Sequence, residues 1–413
     1  MAIIRPFRAL RPAEGKEKDV AALPYDVYSR EEARRKTQGD PLTFLRIDRP
    51  ETQFPPEQDM YAECVYRRGD QMLREMEEKG IFVQDGTPCF YIYELTMDGK
   101  PQTGLVACSA VDDYVSGVVK KHENTRRDKE EDRIRHVDAL SAQTGPIFLA
   151  YRADAEVREL LGREKTKPAL ADFLSEDGIR HRVWKICSAE AIAGLTARFA
   201  AMDHTYIADG HHRAASAVEV SMMRRREHPD YTGEEEFNYF LSVLFPDDEL
   251  RILDYNRVLK DLNGNTEEEL LDRLREVFHV GPAGEKPVRP EKKGRMGLFL
   301  GEKWYCLEAR EEKKRDDPVG SLDVAFLQRE VLEPIFGIRD PKTDQRIDFV
   351  GGIRGLGELE RRCRTDCRAA FALYPTSMQE LFAVADAGFL MPPKSTWFEP
   401  KLRSGMFIHK IER

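Results

Sequence analysis

Thr205-Tyr206-Ile207-Ala208-Asp209-Gly210-His211-His212-Arg213-Ala214-Ala215-Ser216-Ala217 reads as a strand, a tight turn and the start of a helix. A short apolar run ends in an acid and a glycine. Two histidines and an arginine then open a small-residue helical run that extends to about Arg226. Free backbone N–H groups at a helix start attract anions, and the helix dipole adds to the attraction. An arginine in the first turn can grip a phosphate with two parallel hydrogen bonds. Gly210 lets the backbone approach a ligand closely. Asp209 has three open roles: holding a magnesium ion, contacting a sugar hydroxyl, or capping the turn. His211 and His212 project about 100° apart on a helix, which disfavours a shared metal. Hydrogen bonding to phosphate oxygens is their more natural work. Asp-Gly alone would be an ordinary turn, but four reactive side chains at one turn point to a site.

Elements of both kinds surround this motif. Ser29 and Glu32 form a capping box for a small N-terminal helix. Tyr61, Cys64, Val65, Met72, Leu73 and Met76 fall at helical spacing before a stop at Gly80. Residues 89–96 and 103–109 form a hairpin around Asp98-Gly99-Lys100. A charged helix runs through Arg133 to Leu140, a buried strand covers 146–151, and residues 188–202 form a helix leading into the motif. A strand follows at 237–245. Thr266 and Glu269 cap a further helix, a hairpin turns at Gly301, and Ser377 and Glu380 cap a helix ending at Gly388. Frequent hairpins make an α+β fold a better fit than a doubly wound parallel sheet. The Lys-, Pro- and Glu-rich stretch 285–294 is the best linker candidate.

The chain has 413 residues, 34% of them charged, and a net charge of −9. That size suits two or three domains. The acidic balance and the lack of a basic block disfavour nucleic acid as a partner. No apolar run approaches the roughly 20 residues a bilayer requires, and no membrane association is expected. The first ten residues carry Arg5 and Arg8 and no apolar signal core. Seven scattered cysteines read as free thiols in a reducing cytoplasm; Cys363 and Cys367 are the only close pair.

Two further clusters carry chemistry. Lys120-Lys121-His122-Glu123-Asn124-Thr125 precedes a helix, with Arg126 and Arg127 adding positive charge. It is either a solvated loop or part of a site, in which Glu123 could take a proton from an alcohol and Asn124 or Thr125 could cap the helix. Arg133 is either a salt-bridge partner or a ligand contact. Near the end, Pro393-Lys394-Ser395-Thr396 lacks the glycines of a phosphate loop. It is either an edge loop packed on the core or a receiver for a substrate carboxylate or phosphate, with Lys401 and Arg403 close behind. Leu23-Pro24-Tyr25-Asp26-Val27 could line a pocket or make a plain turn. Classical nucleophile and dinucleotide motifs are absent.

These motifs occur in one order: Arg5-Pro6-Phe7, Leu23 to Val27, His122 to Thr125 with Asp132-Arg133, Ile207 to Arg213, and Met391 to Thr396. The series resembles a large prokaryotic family long catalogued as a domain of unknown function. Through Asp209 to Arg213 that family is similar to the ParB/sulfiredoxin-like fold, whose members include free L-serine kinases. The resemblance implies a ParB/sulfiredoxin-like core at 111–285. It also implies large mixed α/β additions, an N-terminal region at 1–110 and a C-terminal region at 286–413 that completes the pocket. It implies nucleotide phosphates on Gly210, His211, His212 and Arg213, with Mg²⁺ on Asp209 and ADP or ATP as donor. Glu123 would be the base toward a serine or similar alcohol, and Asp209 would share in catalysis. His122, Lys394, Ser395 and Thr396 would bind the acceptor. About 86 residues separate Glu123 from Asp209, a longer spacing than in the small kinases, so an insertion is expected between them. Three other functions stay open: a CTP-type nucleotide switch, a metal-dependent hydrolase built on the histidines, and an interaction scaffold with a vestigial pocket.

Overall fold

The computed structural model describes residues 1–125 and 127–412; Arg126 lies outside the described residues. The chain forms two compact units. The first comprises Met1–Leu250 and Pro400–Arg413, and the second Arg251–Glu399.

The first unit is built on a nine-stranded sheet among the described residues. Its strands are β1 (Ile4–Arg5), β2 (Phe90–Met97), β3 (Lys100–Ala110), β4 (Val119–Lys120), β5 (Ile147–Tyr151), β6 (Ala171–Leu174), β7 (Arg180–Ile186), β8 (Thr205–Asp209) and β9 (Tyr239–Pro246). The order is β4-β8-β5-β9-β3-β2-β7-β6, with β1 joined to β3. Only β4–β8 and β5–β9 are parallel; the other pairs are antiparallel. The mixed, hairpin-rich sheet agrees with the α+β expectation. Asp98 and Gly99 both take positive φ at the β2–β3 turn, as a two-residue hairpin requires. β5 and most of β3 and β9 are buried at every position, so both faces of the sheet centre are covered.

One face carries three helices among others: α4 (Ala155–Glu164), α5 (Ala189–Ala200) and α6 (His211–Glu227). Leu161, Leu195, Phe199, Ala214 and Val218 from them pack with Ile92, Leu105, Leu149 and Ile207 of the sheet. On the other face Phe407, from the returning C-terminal segment, lies 5.3 Å from the Tyr91 ring and 5.8 Å from Tyr93. A helical layer near the N-terminus holds α1 (Arg30–Thr37) with its Ser29/Glu32 capping box, α2 (Glu63–Glu78) and α3 (Arg127–Leu140). Of the residues at helical spacing, Tyr61 and Cys64 are exposed. α2 begins at Glu63, and its buried stripe is Val65, Tyr66, Gly69, Met72, Leu73 and Met76.

The second unit is a six-stranded sheet among the described residues, antiparallel throughout. Its order is β11-β13-β12-β15-β10-β14, with β10 (Tyr255–Leu259), β11 (Phe278–Val280), β12 (Arg295–Leu300), β13 (Lys303–Ala309), β14 (Ile347–Gly351) and β15 (Ala369–Ala372). Its helices include α7 (Glu267–Arg275), α8 (Leu356–Thr365) and α9 (Met378–Asp386), and α7 and α9 carry the expected capping boxes. Its two chain ends pair as a ribbon, Arg251–Leu253 against Trp397–Glu399.

The unit boundaries differ from those expected at 110 and 285. The helix that starts after Ala110 stays within the first unit, because β2 and β3 are interior strands of the same sheet as β8 and β9. Residues 285–294 are not an interdomain linker. Gly284 hydrogen-bonds to Trp304, and Val288 packs on the second unit's core. All seven cysteines are free. Among the described residues, no helix is long and apolar enough to cross a membrane.

Fully buried His181 on β7 is stacked between Tyr93 and Phe173. Its Nδ1 bonds the Tyr93 hydroxyl at 2.8 Å and its Nε2 the Ser175 hydroxyl at 3.0 Å. Burial, and then the Arg403 guanidinium, push its pKa down from 6.5 to about 3. The folded state therefore holds His181 neutral while the unfolded chain protonates it, so stability is lost as pH falls from about 6.5 toward 3. Between pH 7.5 and 4.5 His181→Gln should lose less unfolding free energy than the parent, by on the order of 2 kcal/mol. Urea titrations of both proteins at the two pH values check this.

Candidate functional site

β8 delivers Asp209 to the site through an irregularity. The pairing with β5 shifts between Ile207 and Asp209, a bulge that redirects the strand end. Gly210 follows with φ 94° and ψ 34°, a left-handed conformation that glycine adopts without strain. α6 then starts at His211. No side chain caps its N-terminus and no acid lies in its first turn. The first N–H groups of a helix have no partner within the helix, so this end offers donors to an anion. By contrast, Ser29, Asp154, Ser188, Thr266 and Ser377 cap their own helices.

Three charged side chains meet at the turn. Lys401 Nζ donates to Asp209 Oδ2 at 2.9 Å, and Arg213 Nη2 lies 3.9 Å from the same oxygen. Arg213 Nη1 donates to the Pro146 carbonyl at 2.5 Å, so its guanidinium is fixed rather than mobile. Burial alone would raise the Asp209 pKa; Lys401 and Arg213 instead hold the carboxyl well below the usual carboxylate range. The acid is ionised and paired.

The His122 loop joins this turn because β4 runs parallel to β8, pairing Val119 with Thr205 and Lys120 with Tyr206. Parallel neighbours emit their following loops at the same sheet edge. His122 and His211 rings meet edge to face with centroids 4.5 Å apart. The His122 backbone N–H donates to His211 Nε2 at 3.4 Å, which places the His211 proton on Nδ1. His122 is 2% exposed, and among the described residues its ring nitrogens make no hydrogen bond of good geometry, the Ile207 carbonyl being their nearest polar neighbour. Burial pushes its pKa down to about 4, against the opposing pull of Asp209 and the Ile207 carbonyl. Burial also pushes His211 well down, and His122 reinforces this. Both imidazoles are therefore neutral near pH 7. The positive charge of the site comes from Lys401, Arg213 and the helix end.

The remaining expected residues divide between the units. Half-buried Glu123 and exposed Asn124 lie in the loop beside His122. Thr125 donates its hydroxyl to Glu130 at 2.8 Å. His212 is half-buried in the first turn of α6, and its carbonyl accepts from Ser216 at 2.7 Å. A small cavity lies beside Arg213, lined also by Tyr25, Asp48, Arg133, His136 and Thr144. Arg133 pairs with Asp132 at 2.7 Å and lies 4.1 Å from the Tyr25 ring centroid. Tyr25 thus lines a pocket, as one of its two expected roles requires, while Asp26 is exposed.

Lys394, Ser395 and Thr396 belong to the second unit. Ser395 is buried and donates its hydroxyl to the Pro392 carbonyl at 2.6 Å. Its carbonyl accepts from Thr376 at 3.0 Å. These bonds tie the serine into its own loop. Lys394 is exposed with φ 59°, and its Nζ lies 5.8 Å from the Tyr255 ring centroid. The residue that sequence reading left out of the site is Lys401. It was noted only as a nearby cation, and nothing in local spacing ties position 401 to position 209. Among the described residues, no group of three or more His, Cys, Asp or Glu side chains is placed to hold a metal ion.

The chain belongs to the family described as Protein of unknown function (DUF1015), whose model matches residues 4–325. No curated protein matches it. Solved structures resemble it distantly. One is a mutant free serine kinase in complex with ADP, at 15% identity and TM-score 0.37, covering 75% of this chain and 92% of that one. Another is a conserved hypothetical protein from Pyrococcus furiosus, at 15% identity and TM-score 0.35, covering 74% and 94%. A third is SbnI with a C-terminal truncation from Staphylococcus aureus, at 13% identity and TM-score 0.37, covering 71% and 82%.

A Cβ on residue 210 would stand 3.0 Å from the Arg213 guanidinium carbon in a backbone conformation that L side chains avoid. Gly210→Ala should therefore cost about 1–2 kcal/mol of stability and displace Arg213. Thermal melts together with anion-binding titrations check both effects.

Proposed function

We propose that this member of the DUF1015 family is a small-molecule kinase. It transfers a phosphoryl group from ADP or ATP to the hydroxyl of free L-serine or a similar small alcohol. The observation that carries this reading is the uncapped start of α6, where Asp209, Lys401 and Arg213 converge beside the His122–Glu123 loop. The motif series gives the same reading, with a ParB/sulfiredoxin-like core around β8 and α6. His122, buried and poorly satisfied among the described residues, is a polar group for which a bound ligand would supply a better partner.

Phosphoryl transfer needs positioning and charge stabilisation more than covalent help from the protein. In this reading the first N–H groups of α6 and the fixed Arg213 hold the terminal phosphate. Neutral His211 offers a hydrogen bond without adding charge, and His212 beside it in the first turn offers another. Glu123 takes the proton from the acceptor hydroxyl. The hydroxyl oxygen then bonds to phosphorus as the bond from phosphorus to the departing nucleotide oxygen breaks.

Asp209 fits a Mg²⁺ role, because that ion commonly takes one carboxylate with the rest of its shell from phosphates and water. Mg²⁺ bound there would neutralise charge on the transferring phosphate. A hydrolase built on the two histidines is less well supported, since His211 already spends Nε2 on the His122 N–H.

The test is a screen of ADP, ATP and CTP against amino acids and small alcohols, with products read by mass spectrometry. Phosphoserine from ADP or ATP is the expected result. Nucleotide binding or hydrolysis without a phosphorylated acceptor would instead favour a switch. Glu123→Gln should lower turnover by about 10²–10⁴-fold; near-normal turnover would remove Glu123 as the base.

A further inference from the structure

Cys89 and Cys187 stand at one end of the β2–β7 ladder, about 98 residues apart in the chain. The register pairs Tyr91 with Lys185 and Phe90 with Ile186, so the next position sets Cys89 opposite Cys187. Backbone hydrogen bonds fix the type of that pair. Cys89 spends both its N–H and its carbonyl on Phe7, at 3.0 and 3.1 Å, on the side away from β7. Toward Cys187 it is therefore a non-hydrogen-bonded position, where opposed antiparallel Cα atoms come closest, at about 4.5 Å. Disulfides span Cα separations of roughly 4.4–6.8 Å. Opposed side chains also leave a sheet on the same face. The preceding non-hydrogen-bonded pair shows this: Tyr91 Oη and Lys185 Nζ both reach the Asp85 carboxylate, at 2.6 and 2.9 Å. Burial, and then the neighbouring Cys89 thiol, push the Cys187 pKa up to about 11. Cys187 is exposed, whereas Cys89 is fully buried.

We propose that Cys89 and Cys187 form a reversible dithiol–disulfide site whose oxidant is a low-molecular-weight disulfide. The exposed thiol reacts first. Cys187 Sγ loses its proton to solvent and attacks one sulfur of the small disulfide. The S–S bond of the reagent breaks, and half of it leaves as a thiolate that takes up a proton. Cys89 Sγ, deprotonated in turn, attacks Cys187 Sγ, and the second half leaves in the same way. Two electrons pass from the protein to the reagent, which becomes two thiols. The bridge ties the start of β2 to the end of β7 and closes a loop that contains the His122 segment. A thiol that keeps its proton to high pH reacts slowly near neutrality, so the site answers to sustained oxidation and not to a brief pulse. It stands independently of the kinase reading.

The test incubates the purified, reduced full chain with oxidised glutathione under native conditions. Free thiols are then alkylated and the digest is read by mass spectrometry. The expected product is a peptide pair linked through Cys89 and Cys187, lost again in excess reduced glutathione. Cys89→Ala leaves the exposed thiol without a resolving partner. It should stop at a glutathione adduct on Cys187, formed about tenfold faster at pH 8 than at pH 7 as the thiolate fraction rises. Cys187→Ser changes only an exposed position, and buried Cys89 should then react at least about tenfold more slowly than in the parent. A lasting glutathione adduct on Cys187 in the parent, a bridge from either cysteine to another, or both thiols still reduced after a day at pH 8 overturns the site. Adduct formation at equal rates at the two pH values, or Cys89 reacting at the parental rate in Cys187→Ser, overturns Cys187 as the attacking thiol.

Discussion

The left-handed backbone at Gly210 is the constraint on which the site depends. It lets a bulged strand end turn directly into a helix, so that Asp209 and the free N–H groups of α6 face the same space. It also leaves room for Arg213 to fold back over residue 210 toward the acid. Any side chain at this position would oppose both. The rest of the arrangement follows from sheet order. β4 lies parallel to β8, so the His122 loop leaves at the same edge, and the hydrogen bond between His122 and His211 closes the two segments together.

Electrostatics then assigns the parts. Burial strips both histidines of charge near neutral pH, which makes them hydrogen-bonding groups and not counter-ions. The carboxyl of Asp209 would also resist ionisation in such surroundings, yet two neighbouring cations keep it ionised. The result is a half-buried acid facing two cations, beside an uncapped helix end. One positive charge is left over to meet an anion. Deeper in the first unit, Asp132, Arg133 and Tyr66 form a second buried polar network, with Asp132 accepting from Tyr66 at 2.8 Å. That network braces Tyr25 at the wall of the cavity beside Arg213.

Local features were legible in the amino-acid order because their causes are local. The capping boxes at Ser29, Thr266 and Ser377 are reciprocal bonds between residues three apart, and all three form. The Asp98-Gly99 hairpin needs only its own two positive φ angles. The strand, turn and helix around Gly210 belong to the same class. What escaped was set by distance along the chain. Val119–Lys120 is a two-residue strand, too short for any periodicity, and its pairing with β8 is what brings Glu123's loop to the motif. Lys401 and Asp209 are 192 positions apart. The division into units escaped for a related reason: the first unit is interrupted in sequence, and composition carries no mark of a chain that leaves a sheet and later returns.

That return has a consequence for how the protein is made. Phe407 and Ile408 are completely buried in the first unit, His409–Lys410 pairs with Ala142–Gln143, and Ser404 pairs with Ala22. Residues 251–399 are continuous and leave the ribosome before the segment 400–413. During synthesis the second unit therefore has all of its strands available while the first still lacks its last one. The core of the first unit is therefore closed only when residues 400–413 follow, and the lysine facing Asp209 arrives with that segment. A ribosome that stalls after residue 399 would release a chain with one whole unit and an open seam in the other, a vulnerable substrate for proteases and chaperones.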